Sequence, residues 1–507
     1  MLNTIPLDAF QTWKLTGILS YLAILLAIGF VASRRMKNLR DYFAADKSLS
    51  FWSVAFSARA TGESAWLLLG LTGMGATVGV RAFWVVLGEV LGVAGAWILL
   101  SKRFKRLTDR YEAITVPDYL ESRFRDKGHT IRMVSAAALV VFVTIYVSAQ
   151  IHATGQAFED FLGWNYYVGS VVGFAVVLVY ISFGGFLAVA WSDVFQGALM
   201  FLGLVVLPIV AFSSAGGPST VFEQLGAIDP ALTSLAGAGG WTALSIAGAI
   251  GLSLIGLGFL GSPQIFVRFI AMRSEKEIRN GTLVALTWTI LADSGAVLIG
   301  IAGRVILGAE GEDVLPLLVE HTMPALLIGL YIAVVLAAIM STVDSLLVVA
   351  SSAVVRDWHQ QVRNPDMPDE ALVGASRTAT LALAGVALAV SLGVALVTGR
   401  GSVFWFVIFG WSGIAATFCP TIILSLFWSK MTGKGALGAM ITGFLAVPLF
   451  KFAAPLLPGI GGLLTELTEL PPSFLLSGLA AVLISLNDKP GQEALAGVED
   501  ELLEAGR

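Results

Sequence analysis

The residues with the most chemistry to offer lie in stretches where charge is expensive. Met340-Ser341-Thr342-Val343-Asp344-Ser345 falls near the middle of a long apolar run. On a helix, positions 341, 344 and 345 share one face. Hard cations take oxygen ligands, so hydroxyls with a carboxylate can replace the hydration shell of sodium if a facing segment adds oxygens. The stretch Ser57-Ala58-Arg59-Ala60-Thr61-Gly62-Glu63-Ser64-Ala65-Trp66 can do so. Its Gly, Thr and Ser free carbonyls and supply hydroxyls in mid-run. A second interrupted stretch, Gly256-Leu257-Gly258-Phe259-Leu260-Gly261-Ser262-Pro263-Gln264, places three glycines and a proline close together, and Pro263 removes a helix hydrogen bond. Arg59 and Glu63 are spaced i, i+4 beside the first break and can pair. Asp193, Glu89 and Asp293 are further carboxylates in apolar runs. Each intramembrane charge costs about 2.5–3.5 kcal/mol on insertion scales and defaults to a functional hypothesis. For Glu89 and Asp293 a structural ion pair or interhelical hydrogen bond is the first reading. The hydroxyls around 341 can equally bond back to their own helix, with Asp344 paired to a base.

The elements that must position these groups follow from composition. The chain has 507 residues, 56% hydrophobic and only 13% charged, about half the charge content of roughly 25% usual in soluble domains. That excludes soluble globular, disordered and collagen-like classes and leaves an all-α polytopic membrane protein. A barrel would show ~10-residue alternating segments, whereas the apolar runs here are long and continuous. Thirteen candidate spans lie near 13–33, 51–74, 82–101, 131–158, 166–183, 186–213, 240–271, 281–307, 324–355, 376–398, 402–429, 435–455 and 472–487.

Basic residues sort onto one side. One set of loops holds Arg34, Arg35, Lys37, Arg40 and Lys47, then nine from Lys102 to Arg132, then Arg268, Arg273, Lys276 and Arg279. Arg356, Arg363, Arg377, Lys430 and Lys434 follow on that side, with Lys489 and Arg507 in the tail. Opposite loops hold only Arg81 and Arg400. The positive-inside rule then predicts an external N-terminus and a cytoplasmic C-terminus; the expected location is the inner (plasma) membrane. The two interrupted spans are five apart. They would open two five-helix units that an odd span count makes inverted, the pattern of a secondary transporter with a central site. The expected divisions are an extra helix and loop (1–50), a first repeat (51–213), an external loop (214–239), a second repeat (240–430), two C-terminal helices (431–487) and a cytoplasmic tail (488–507). The Gly- and Ala-rich external loop reads as a connector, with a cover as the alternative. The acidic tail is expected to form a surface helix.

Other chemistries find little support. The single cysteine, Cys419, excludes an intrachain disulfide and a cysteine metal site. The four histidines show no metal-ligand spacing, and His152, inside a span, is expected to pack or hydrogen-bond. No P-loop occurs, no nucleophile–base constellation stands out, and no basic–aromatic patch points to nucleic acid. The reading is therefore not an enzyme, with no nucleic acid and no obligatory protein partner; its partners are a small-molecule substrate and the lipid bilayer.

At these residues the chain resembles the sodium:solute symporters, and most of all the bacterial sodium/proline symporters. The resemblance runs through Thr115-Val116-Pro117-Asp118-Tyr119, Thr144-Ile145-Tyr146, Phe183-Gly184-Gly185-Phe186 to Trp191-Ser192-Asp193, Gly256-Leu257-Gly258-Phe259 with Gly261-Ser262-Pro263 and Arg268-Phe269, Leu336-Ala337-Ala338-Ile339-Met340-Ser341-Thr342, and Phe427-Trp428-Ser429-Lys430. It implies a leucine-transporter-type core of two inverted five-helix repeats and inward symport of a small solute with sodium ion. It implies a sodium site from the carbonyls of Ala60, Glu63 and Ala338 with the hydroxyls of Ser341 and Thr342. It places a second sodium or proton site at Asp193, Asp344 and Ser345. Substrate-lining candidates are Thr61, Ser64, Tyr146, Gln150, Phe259, Ser262, Pro263 and Gln264. The lining departs from the proline transporters at Gly62 (aspartate there), Glu63 (apolar), Ile255 (tryptophan), Phe259 (tyrosine) and Ala82 (glutamate). Arg59 and Arg81 add positive charge that would suit a carboxylate. The expected function is sodium-coupled import of proline or another amino acid by alternating access. An organic-carboxylate transporter and a non-transporting solute sensor are the alternatives; a passive channel fits the broken helices less well, and proton coupling is the main variant.

Overall fold

The computed structural model describes residues 7–34, 45–181, 185–364, 366–399 and 401–507. Arg35, Lys37, Arg40, Phe183, Gly184 and Arg400, used above, lie outside the described residues. Among those described, the chain is helical, and the one isolated strand-like pairing joins Leu49 to Met272. The main helices are α1 (Leu7–Ser33), α2 (Phe51–Ala65), α3 (Thr72–Val78), α4 (Phe83–Ala94), α5 (Ser101–Arg110) and α6 (Thr130–Leu162). They continue with α7 (Tyr166–Ile181), α8 (Phe186–Ser214), α9 (Ala243–Ser253), α10 (Pro263–Ala271), α11 (Ile278–Leu307) and α12 (Ala325–Ser352). The C-terminal part holds α13 (Asp369–Thr398), α14 (Val403–Phe427), α15 (Gly433–Pro448), α16 (Leu470–Asn487) and α17 (Val498–Gly506).

Among the described residues, eleven helical segments are long and apolar enough to cross a membrane. One of them, Phe51–Arg110, runs 60 residues, which as a straight helix would be roughly 90 Å long, about three bilayer cores. The chain folds back instead. Along α11, Gly300 meets the Thr72 carbonyl while Gly281 meets Trp97, so the stretches before and after residue 79 run antiparallel. Gly79 makes the turn with φ 59; a Cβ there would lie 2.0 Å from the Leu232 carbonyl oxygen. The apolar helix at Tyr166–Val179 is shorter than the others. Counting the reversal as two spans and adding this helix, the described residues carry the thirteen expected.

Burial separates centre from periphery. In the apolar windows of Ala325–Arg363 and Val403–Phe427, 83% is buried, against 28% for Thr12–Ala32 and Ala371–Val397. α12, which carries Ser341 to Ser345, therefore runs through the middle, and α1 and α13 offer their sides to lipid. α1 is pinned to α12 by a close approach of Gly17 to Gly329 and by Lys14, whose Nζ donates to the Phe161 carbonyl at 2.8 Å and pairs with Glu320 at 2.5 Å. The loop at 214–239 is more than bare connector: it holds a helix at Pro218–Ile228, and Leu232 covers the Gly79 turn.

The Thr115-to-Tyr119 motif has a local cause. Thr115 caps the helix Val116–Phe124 in a reciprocal box with Asp118, and Pro117 sits in its first turn. Arg132 then ties Asp118 and Asp357 together, each at 2.6 Å. The acidic tail folds as α17 onto α5 and the residue after it: Arg110 pairs with Glu504 at 2.6 Å and the Tyr111 hydroxyl donates to Glu501 at 2.5 Å.

Candidate functional site

Both expected breaks are present. α2 breaks at Ser64, with φ 38 and ψ −165, a conformation that costs on the order of 1–3 kcal/mol for a residue with a side chain and persists where surroundings over-determine it. The Ser64 hydroxyl oxygen accepts from the Tyr146 hydroxyl at 3.4 Å, the Gln150 amide at 3.2 Å and the Trp66 N–H at 3.4 Å. Gln150 returns its oxygen to the Ala65 N–H at 3.2 Å. Ser64, Tyr146 and Gln150 thus meet at one freed segment, and all three are buried.

The second break lies between the 3-10 turn Leu254–Leu260 and α10. Trp411 of α14 donates to the Ile255 carbonyl at 3.0 Å, and the Ser262 hydroxyl is spent on the Gly258 carbonyl at 2.6 Å. Pro263 opens α10. Gln264 is buried, and among the described residues neither side-chain amide atom has a hydrogen-bond partner. Phe259 bridges the breaks: its ring packs on Trp411 with centroids 4.9 Å apart, and a Cβ at Gly62 would stand 2.7 Å from it. Gly62→Ala is therefore expected to destabilise by about 1–3 kcal/mol through overpacking, lowering the melting temperature and weakening solute binding, with recovery in Gly62→Ala/Phe259→Leu. Unchanged melting and affinity in the single variant would contradict the packing argument.

Two carbonyls freed by the α2 break meet two hydroxyls and a carbonyl of α12. The Ser341 hydroxyl donates to the Ala60 carbonyl at 2.9 Å and the Ala338 carbonyl at 3.2 Å. The Thr342 hydroxyl donates to the Thr61 carbonyl at 3.1 Å. These are neutral hard donors, the type sodium takes. The Glu63 carbonyl is turned away, accepting the Trp66 N–H, and the Thr61 carbonyl stands toward α12 in its place. Thr61 faces α12 by its side chain too, 2.8 Å from the Ser345 hydroxyl.

Arg268 corrects the charge tally. It is not a loop residue but a fully buried member of α10. Its guanidinium donates to Thr61 Oγ1 and Ser345 Oγ at 2.5 Å each, to Asp193 at 3.0 Å and to Ser57 Oγ at 2.9 Å, and to the Gln264 carbonyl. Ser57 in turn donates to Asp193 at 2.5 Å, and Ser345 contacts Asp344 at 3.3 Å. Asp193, Asp344 and Ser345 do meet, but around a cation already supplied by the chain. The signal was legible: a basic residue four positions after Gln264, one turn past a helix break.

The other two cations singled out in the sequence are paired elsewhere. Arg59 pairs with Glu63, and Arg81 with Glu466 at 3.1 Å on the side of the molecule where Trp84 meets the Leu235 carbonyl. His152 is hydrogen-bonded between Tyr166 and the Gly401 carbonyl, at 2.6 and 2.9 Å, and Cys419 is buried and free. Beyond Trp66 and Phe404, a cavity of about 540 Å³ opens between Gly70, Met74, Glu159, Asp160, Glu312 and Trp405.

With this geometry in hand, comparison places the chain. The sodium:solute symporter family matches residues 42–443, and the chain belongs to that family. It is a multi-pass membrane protein built as a sodium-coupled symporter. It is 35% identical over 476 residues to the high-affinity proline transporter PutP of Bacillus subtilis, covering 92% of this chain and 97% of that one. It is 32% identical over 498 residues to the sodium/proline symporter of Escherichia coli, covering 96% and 95%. Among solved structures, an outward-open sodium-coupled sialic acid symporter superposes with TM-score 0.77 at 19% identity, covering 94% of this chain and 97% of that one. MhsT in complex with L-phenylalanine superposes with TM-score 0.53 at 17% identity, covering 87% and 98%. These share the fold.

Proposed function

We propose that this protein imports proline together with sodium across the inner membrane, with its N-terminus outside and its C-terminus in the cytoplasm. The single observation that carries the reading is the bridge from the broken α2 to α12, in which Ser341 and Thr342 meet freed carbonyls. In this reading sodium lies among Ala60, Thr61, Ala338, Ser341 and Thr342 and ties residues 51–213 to residues 240–430, the two repeats. Proline binds between the breaks, against Ser64, Tyr146, Gln150 and Phe259. Bundle rocking then exposes the site to the other side, and sodium loss inside releases both. The proline relatives support the substrate; the acid-lined cavity beside Trp405 is the expected external entrance, since loops on that side hold few basic residues.

Arg268 argues for one sodium here rather than two, because a guanidinium among Asp193, Asp344 and Ser345 repels a further cation. The altered lining at Gly62, Glu63 and Phe259 favours a second reading, in which another amino or organic acid replaces proline. The test is uptake of radiolabelled proline into proteoliposomes at fixed pH, with and without an inward sodium gradient. Saturable, sodium-dependent accumulation is expected. Sodium-dependent uptake of a different acid would move the substrate and keep the mechanism, and sodium-independent binding without uptake would favour a sensor.

A further inference from the structure

A second buried ionic cluster stands apart from the sodium set. It joins Arg59 and Glu63 of α2, Glu89 of α4 and Asp293 of α11, and all four are at most 1% exposed. Carboxylate oxygens of the three acids lie within 4.8 Å of one another. Arg59 pairs with Glu63 and stands 3.9 Å from Glu89. Its guanidinium is fixed by two rings, 4.8 Å from the Phe259 centroid and 5.5 Å from that of Trp288. Asp293 enters from the opposite helix, and among the described residues neither of its oxygens has a hydrogen-bond partner; Glu89 Oε2 has none either.

Charge counting makes this arrangement untenable as three carboxylates. One guanidinium against three anions leaves two negative charges in a site without water-facing surface, and like carboxylates so close do not both ionise. Something positive must be taken up. A metal ion fits poorly. Calcium and magnesium want six or more oxygens, the cluster brings together one oxygen from each of three acids, and the fixed guanidinium repels any added cation. A proton needs no coordination sphere and supplies the donor that Asp293 and Glu89 lack.

We propose that Glu89 and Asp293 form a proton-binding site, with one acid O–H donating to the neighbouring carboxylate oxygen and the Arg59–Glu63 pair facing them. Release breaks that O–H bond and sends the proton to water on whichever side is open; it leaves three carboxylates against one guanidinium, so it requires that the opening also admit water to the cluster or move the Arg59–Glu63 pair. The trigger is local. Glu63 adjoins Ser64, the break in α2, so any change in the break's geometry moves Arg59 and Glu63 relative to the acids. Other groups facing the site are few: Tyr146 of α6 is within electrostatic reach of Glu89, and the Leu254–Leu260 turn brings Phe259 and no titratable side chain. Arg268, Asp193 and Asp344 form their own network on the α10–α12 side. The site adds a proton to the sodium coupling proposed above without depending on which solute is carried.

The experiment is infrared spectroscopy of the purified full chain in lipid nanodiscs at neutral pH. Wild type is expected to show a protonated-carboxyl C=O band that shifts in deuterated water, and Glu89→Gln and Asp293→Asn are each expected to lose part of it. An unchanged band in both variants overturns the proposal. Should either variant fail to fold, wild type alone decides, since absence of any protonated-carboxyl band would also overturn it. In proteoliposomes at fixed sodium gradient, the alkaline limb of wild-type uptake is expected to fall about tenfold per pH unit, the slope of one titrating proton, and to flatten in Glu89→Gln. The infrared measurement needs no solute, so its failure is distinct from failure of the proline reading.

Discussion

Replacing Ser341 or Thr342 by alanine is expected to raise the sodium concentration for half-maximal uptake by roughly 10–100-fold. Each hydroxyl bridges α12 to a carbonyl freed by the α2 break: Ser341 to Ala60 at 2.9 Å and Thr342 to Thr61 at 3.1 Å. Losing one oxygen from a buried set leaves an unsatisfied carbonyl and a poorer cage, a cost of about 1–3 kcal/mol, which at 1.4 kcal/mol per tenfold gives that range. The effect should be confined to the ion. Thr342→Ser keeps the hydroxyl and should retain near-native sodium dependence, while Thr342→Ala should also lose the thermal stabilisation that added sodium gives wild type. Weakened proline binding at saturating sodium, with unaltered sodium dependence, would count against the assignment.

The broken helices were legible because their causes are local. Three glycines and Pro263 cannot continue a helix in lipid, and the structure breaks at 261–262. Ser64 was less obvious, since nothing in its residue type demands φ 38; Tyr146 and Gln150, 82 and 86 residues away, stabilise it. The span count was legible from hydropathy, and only the Gly79 reversal shows that one continuous helical stretch is two crossings. Contacts between distant helices were not legible. Arg268 looked like one of several loop cations because the sequence places Arg273 and Lys276 just after it, yet α10 buries it 3.0 Å from Asp193, 75 positions earlier. Likewise Glu89 and Asp293, separately readable as structural pairs, gain their meaning only when α4 and α11 bring them to Arg59 and Glu63. Which carbonyl of α2 faces α12 is another such fact: the direction of the chain beyond the break turned Glu63 away and Thr61 inward.

Arg268→Gln is expected to be the most disruptive single change in the protein. The guanidinium donates to Thr61, Ser345, Ser57 and Asp193 with no solvent access, and its loss strands buried carboxylates on α8 and α12. Removing one partner of a buried pair costs about 3–5 kcal/mol because the other charge is left uncompensated. Asp193→Asn should cost far less, because Asp344 still opposes Arg268 and Ser57 can keep a hydrogen bond. The double variant Arg268→Gln/Asp193→Asn should therefore melt closer to wild type than Arg268→Gln does, a sign of coupling that independent sites would not give. Sodium supplies a further discriminant. With the guanidinium gone, Asp193, Asp344 and Ser345 present carboxylate and hydroxyl oxygens to a hard cation, so high sodium should restore part of the melting temperature of Arg268→Gln and leave that of the double variant less changed. If Arg268→Gln melts like wild type, or Asp193→Asn costs as much as it does, the guanidinium is not the cation that holds this end of the site together.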